Sequence, residues 1–489
     1  MRRCALAWSW LAMVGLACSR GELQRNDGGA GGGQLAGLAG GTGSGGDGAP
    51  AGAGGGPGGS TGDAGHSGSA GISGGGGVGG GVAGAAGARG PTVQVTYDVL
   101  LPQASIAWPM VGVDDQDTAV VVGPRVTSEI DPGPQVDWIP RQGPGHSAIF
   151  PNALTPSVLA VDPSGAVWLA GQLYRAVDFG GTTLQPVNDG YYLVRLNPDG
   201  SLAVARAVAR PSLVTVYNAT TDAQGNVYAV GEVYTAGSPP IASVFVTKFS
   251  PAGDELFNRE FACQGTSAYA ADVAVAPNGD LFIVGTYGYP LQIGSALLPL
   301  PSSSLGSAFV AALDPGTGEP RWATRIGGMT FDVGNAISVT STGALRVAGM
   351  LSGQATVGGL LTRGTNDGSP FVAELTPTGA GNWVTIIDGT GIVFEADTNA
   401  ADHTFAVGYV KQTATTNQTF VADVAGGVAR LALRAPVSGQ AGGAQFVAAD
   451  RHGGAWVTGS FAGVIDFGLG PLDAGGADML GNFLLHLEP

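Results

Sequence analysis

Apolar and polar positions change rhythm within residues 273–285, VAVAPNGDLFIVG. The first half alternates, with Val273 and Val275 set against Ala274 and Ala276, and 281–285 is apolar without a break. Alternation, a Pro-Asn-Gly turn and a short apolar run predict two strands joined tightly. The same thirteen-residue frame fits 111–123, 159–171, 219–231, 337–349, 396–408 and 447–459. The seven copies close on Gly123, Gly171, Gly231, Gly285, Gly349, Gly408 and Gly459, 48 to 64 residues apart. A period in this range signals a solenoid or a propeller. The seventh position of the frame is Gly165, Gly225, Gly279, Gly343 or Gly453, and in two copies Asp117 or Asp402. A turn residue with positive φ suits glycine, and Asp tolerates it better than most.

A second unit follows each frame, again strand, Pro/Gly turn, strand. It reads YYLVRLNPDGSLAVARAV (191–208), VFVTKFSPAGDELFNREF (244–261), AFVAALDPGTGEPRWATRIGG (308–328) and PFVAELTPTGAGNWVTII (370–387). It is weaker at 420–436, and in the first copy it is expected at 128–140. Each repeat thus carries four antiparallel strands, and seven such repeats predict an all-β fold, a seven-bladed β-propeller. The seventh copy lacks its outer strand, whereas TVQVTYDVLL (92–101) belongs to no other blade. That segment is expected to complete the last blade and leave only short, protected edges.

VAVAPNGDLFIVG with AFVAALDP, and VDFGG (177–181) or IDFG (465–468) between such units, resembles the bacterial seven-bladed propeller repeat called SBBP, over about residues 105–489. Copies one and six lack the DFGG insertion. The resemblance implies a secreted bacterial repeat protein and leaves ligand and activity open.

The chain divides into three parts. Residues 1–17 have a basic start and a short apolar run, as a secretory signal does. The Gly-Leu-Ala-Cys ending at Cys18 resembles a bacterial lipoprotein signal, which implies diacylglycerol on Cys18 and a membrane anchor. Ser19 after it resembles lipoproteins sent to an outer membrane, with either side of that membrane open. In 28–90, 32 of 63 positions are glycine, so 18–90 reads as a flexible tether unable to bury a core. Residues 91–489 are the propeller. With Cys4 leaving with the signal and Cys18 expected to be acylated, Cys263 alone would remain and packing would hold the fold without a disulfide. Net charge is −16 and no basic patch occurs, which argues against nucleic acid as a partner.

Candidate chemistry is sparse. Gly71-Ile72-Ser73-Gly74-Gly75 and the glycine pattern at 41–46 lie in the tether, without the strand and helix that nucleophile and dinucleotide motifs need. No histidine stands at metal-ligand spacing from another His or Cys. Asp114, Asp115 and Asp117 form the densest acidic group and read as a polar turn; a calcium loop needs more oxygen ligands. Residues 162–168 fall short of the sialidase box, and the vicinal cysteines of quinoprotein dehydrogenases are missing. No cofactor and no metal are expected. Trp168, Tyr228, Phe282, Phe405 and Trp456, three residues before a closing glycine, are expected to wedge between blades. Trp322 and Trp383 are expected to do so from the outer strands.

Turns inside the frame and inside the second unit are short and alike, whereas the other links vary greatly in length. Strand order puts all the variable links on one face, which in repeat proteins is often the binding face. Tyr174, Tyr234, Tyr287, Tyr409 and Phe461, one to three residues past a closing glycine, enter that face and are the candidate ligand contacts. These features predict a monomeric, lipid-anchored envelope propeller that binds or scaffolds a protein or polymer without catalysis. The alternative is a secreted propeller enzyme acting on carbohydrate or another envelope polymer.

Overall fold

The computed structural model describes residues 94–101, 109–124, 133–151, 153–237, 240–300, 305–413, 416–437, 443–476 and 480–489. The signal (1–17), Cys18 and the tether (18–90) lie outside the described residues. No helix among the described residues is long and apolar enough to cross a membrane.

Blade 4 shows the plan. Ala268–Val275, Leu281–Tyr287, Ser307–Leu313 and Pro320–Gly328 pair antiparallel in that order, from the axis outward. The innermost strands of the other blades are Met110–Val113, Val158–Val161, Leu213–Thr221, Val333–Val339, Gly391–Thr398 and Gly443–Ala449. Each touches the innermost strand of the next blade, and Gly443–Ala449 returns to Met110–Val113. The ring is therefore closed, with seven blades. Gln94–Leu101 pairs with Leu480–Glu488 as the outer strand of blade 7, as the sequence predicts.

Blade 1 departs from expectation. Its third and fourth strands are Pro134–Ile139 and His146–Ile149 rather than the two halves of 128–140. Gly133, at φ 77°, bends the chain into the third strand, and Pro134 takes the first strand position, where its missing N–H costs no ladder bond. The hairpin turn lies instead in 140–145 around Gly143, at φ 92°. Residues 141–156 are thus not a link between blades but contain a strand.

Blades 2, 4, 5 and 7 insert a small hairpin between second and third strands, as at Val177–Phe179 with Thr182–Leu184; among the described residues blades 1, 3 and 6 show none. The blade 5 hairpin, Gln354–Val357 with Leu360–Arg363, crosses the seam and pairs with Gly327 and Gly328 of blade 4.

The core consists of the seams. Trp168 packs with Val214, Val216 and Val227 of blade 3, and Tyr228 with Val273 and Leu281 of blade 4. Phe282 packs with Ile337 and Leu345, Phe405 with Val447 and Val457, and Trp456 with Val111 and Val121 of blade 1. The five wedges of the frames are buried and face the following blade, whereas Trp322 and Trp383 of the outer strands are half-buried. In blade 5 the wedge position is Arg346, stacked 4.8 Å from the Trp383 ring and paired with Glu374. Trp322 packs half-buried across the same kind of seam and donates to Pro377 O at 3.1 Å.

Candidate functional site

The inner strands of blades 3 to 7 each contain a β-bulge, whose extra residues are Tyr217, Ala271, Asn335, Phe394 and Gln445. The bulge explains the closing glycine. A Cβ on Gly285 would stand 2.0 Å from Tyr269 O, and one on Gly408 2.0 Å from Ile392 O. Each bulge lies within the first five residues of its strand, toward the end entered from a variable link between blades. Tyr217 donates to Glu232 Oε1 at 2.8 Å and meets the Tyr269 ring edge-on at 5.4 Å. Phe394 packs 5.6 Å from Tyr409, and both rest on Val333, Met350 and Ile392. Burial raises the pKa of Glu232, opposed by the Tyr217 hydroxyl; burial also raises Tyr217 and Tyr269.

Deeper on the inner strands stand three carboxylates. Asp272 accepts N–H bonds from Val273 and, across a seam, Ile337, both at 2.7 Å. Asp397 accepts from Thr398 at 2.8 Å and, across the next-but-one seam, Ala449 at 2.9 Å. Both side chains therefore tie one blade to the next. Burial pushes Asp272 up to about 7 despite these donors, and Asp397 adds to the rise. Burial carries Glu395 well above its ordinary value, with Asp272 and Asp397 reinforcing the effect.

The five candidate aromatics separate by position. Tyr174 is 66 % exposed, Tyr234 is exposed, and both lie three residues past a closing glycine. Tyr409 is half-buried against Phe394. Tyr287 and Phe461, two residues past, have no exposed surface; they pack in their own blades at 6.3 Å from Phe309 and Phe483. A strand alternates sides, so the second residue faces the core and the third emerges. Tyr287 and Phe461 are therefore corrected from surface contacts to core residues. Ile241, Tyr289, Leu305 and Met329 are exposed on the same face as Tyr174 and Tyr234. In strand order they follow one another around blades 2, 3 and 4, an arc of exposed apolar positions; Leu361 on blade 5 and Val464 and Leu469 on blade 7 are also exposed in links between second and third strands.

On the opposite face, Asp162, Asp222 and Asp450 cap the frame turns. Asp162 accepts from Ser164 N, Ala166 N and Arg195; Asp222 accepts from Gln224 N and Asn226 N and pairs with Lys248. Asp450 accepts from His452 N, Gly454 N and, at 2.8 Å, His486 Nε2. Burial acts to raise all three, but these donors outweigh it and hold them below the usual carboxylate range.

The acidic group of blade 1 is split among partners. Asp114 caps its own turn through Gln116 N and Thr118 N, Asp115 pairs with Arg451, and Asp117 turns to blade 7. One ligand-type atom each from Asp117, Asp450 and His452 lies within 4.8 Å of the other two. Spacing along the chain gave no hint of this group, because ring closure alone brings it together.

These features define a closed seven-bladed β-propeller with carboxylates on the inner strands of blades 4 and 6, one face of capped turns and one apolar arc. No family model and no curated protein matches the sequence. Among solved structures, a protein of unknown function from Dyadobacter fermentans is similar at 14 % identity over 81 % of this chain and 100 % of its own, TM-score 0.37. YCF48 bound to D1 peptide is similar at 10 % identity over 81 % and 97 %, TM-score 0.38. A gluconolactonase from Xanthomonas campestris is similar at 12 % identity over 64 % and 87 %, TM-score 0.34.

Proposed function

We propose that this chain is a lipid-anchored envelope protein of the SBBP type, held by Cys18 and binding a protein or polymer on its variable-link face without catalysis. The arc of Tyr174, Tyr234, Ile241, Tyr289, Leu305 and Met329 carries the proposal. Exposed apolar residues gathered on one face, beside polar surroundings, mark interaction sites, and aromatic anchors dominate binding energy. The Cys18 ending and the glycine-rich stretch after it support the anchor. Replacing Tyr174, Tyr234, Tyr289 and Leu305 together by Ala is expected to weaken capture of a partner from envelope extract by more than about tenfold. Unchanged capture, with loss on altering the uniform turns, overturns the choice of face. Cys18→Ala is expected to move the protein from the membrane to the soluble fraction. A variant that stays in the membrane fraction removes the anchor.

A second reading, a propeller enzyme acting on an envelope polysaccharide, is favoured by Glu395. Burial, reinforced by Asp272 and Asp397, raises the Glu395 carboxyl, the direction a general acid requires. Asp272 and Asp397 beside it are engaged by backbone N–H groups of neighbouring blades, and this supports a structural role for the cluster. Glycan hydrolysis by the wild type, absent in Glu395→Gln, would reverse the order of the two readings.

A further inference from the structure

We infer that Asp117, Asp450 and His452 form a site for a divalent first-row transition cation that clasps blade 7 to blade 1. Two seams of the turn face share one arrangement, and the seam of blades 7 and 1 departs from it. At the seam between blades 1 and 2, Asp114 at frame position four lies against Gly165 at position seven of the next frame; a Cβ there would stand 2.9 Å from its Oδ2. Asp162 and Gly225 repeat the arrangement between blades 2 and 3. Between blades 5 and 6 position seven is Asp402, but position four is the neutral Thr340. Asp402 is satisfied there by Ser341, whose N donates at 2.7 Å and whose Oγ donates at 3.0 Å.

Between blades 7 and 1 the turn carries Asp at both places. Asp450 keeps position four and Asp117 takes position seven, so two carboxylates, 1 % and 3 % exposed, share one seam. Arg451 N donates to Asp117 Oδ1 at 2.8 Å, as Ser341 N does to Asp402. The place of the Ser341 hydroxyl is filled by the imidazole of His452, whose Nδ1 faces Asp117 Oδ2. The ring of the following frame position thus meets Asp117 as a hydroxyl meets Asp402, beside a second carboxylate. Two buried carboxylates at one point are costly unless matched by charge. A divalent cation supplies that charge, and two oxygens with one imidazole nitrogen suit first-row transition ions better than calcium or magnesium.

The ligands are also held in place. Asp450 is oriented by the N–H groups of His452 and Gly454 and by His486 Nε2, the outer support that ligating carboxylates use. His452 is exposed, which leaves the remaining coordination positions to water and gives the ion a way in.

The test uses the full chain, stripped with chelator and titrated with ZnCl2 at pH 7.5, followed by calorimetry and thermal melting. Zinc is expected to raise the melting temperature of the wild type. His452→Ala, which removes an exposed ring and leaves the caps of Asp450 intact, is expected to weaken binding at least about tenfold and abolish the rise. Asp117→Asn, nearly the same shape, is expected to do the same, whereas His146→Ala on blade 1 is expected to bind as the wild type does. At pH 5.5 binding is expected to fall, because the imidazole must be neutral to ligate. No zinc-dependent rise in the wild type, or equal binding by wild type and His452→Ala, overturns the site and leaves an ordinary ion pair.

Discussion

Asp162, Asp222 and Asp450 on the turn face and Asp272, Glu395 and Asp397 on the inner strands are all removed from bulk water, yet they settle on opposite sides of the ordinary carboxylate range. Burial acts to raise every one of them. The turn-face set meets two N–H donors each and, from the third strand, Arg195, Lys248 or His486. The axial set meets backbone donors and other carboxylates. Two differences decide the outcome: the axial set is desolvated more deeply, and the turn-face set meets a cation or imidazole as well as N–H donors. The turn face therefore uses acid groups to lock turns within each blade, whereas Asp272 and Asp397 on the axis tie one blade to the next with carboxyls raised above their ordinary value.

The sharpest break of this contrast is Asp450→Ala. It removes two turn caps and leaves His486 buried without its carboxylate. The expected loss is about 3–5 kcal/mol, read as a lower urea midpoint. A loss below about 1 kcal/mol would show that the clasp is ornamental. The same set predicts an acid limb. These carboxyls have folded pKa values below the ordinary 3.8, so their stabilisation is present above that value and is lost as pH falls through the folded pKa.

Glu395→Gln sharpens the other half, with a smaller effect of opposite sign. The unfolded carboxyl ionises near 4.5 and the folded one well above it, so the folded state holds the extra proton. Wild-type stability from this group therefore falls as pH rises beyond 4.5. The variant is expected to melt higher than wild type at pH 8 and to match it at pH 4.5. A variant less stable at pH 8 would show that the charged form is welcomed in the axis. The smallest effect belongs to the arc. The combined Tyr174, Tyr234, Tyr289 and Leu305 alanine variant is expected to change stability by no more than about 0.5 kcal/mol per site, because exposed positions away from caps and core rarely matter more.

The fold was legible because it is periodic and because its constraint is local. Every closing glycine of blades 3 to 7 answers one inner-strand carbonyl brought close by a bulge, so the mark recurs in each frame. Wedge rings recur for the same reason, each filling one seam. Blade 1 was misplaced because Gly133 and Gly143 both offer a bend, and only pairing with the second strand decides which is the hairpin. Proximity to a closing glycine does not separate the five face aromatics, whereas strand alternation sorts them. Tyr287 and Phe461 fall on the core side, Tyr174 and Tyr234 on the outside. The seam cluster and the axial acids carry no local mark at all. Arg451 reaches Asp117 across 334 positions, and Asp272 meets Ile337 across 65. Such neighbours become visible only when the ring is drawn.

The last blade has a consequence for how the molecule is made. Thr96 meets His486 across 390 positions, whereas the other six blades are built from strands adjacent in sequence. Hairpins can form early and separately, since their contacts are local. The ring cannot shut until the most distant pair finds each other, and contacts of such separation form late and slowly. Until then the seam of blades 7 and 1 stands open with Trp456 and Val121 uncovered, so partly folded chains offer one another a matching edge. Refolding yield should therefore fall with protein concentration while the first-formed blades keep their rates. An error at this step would join two chains through the same strand that otherwise closes one.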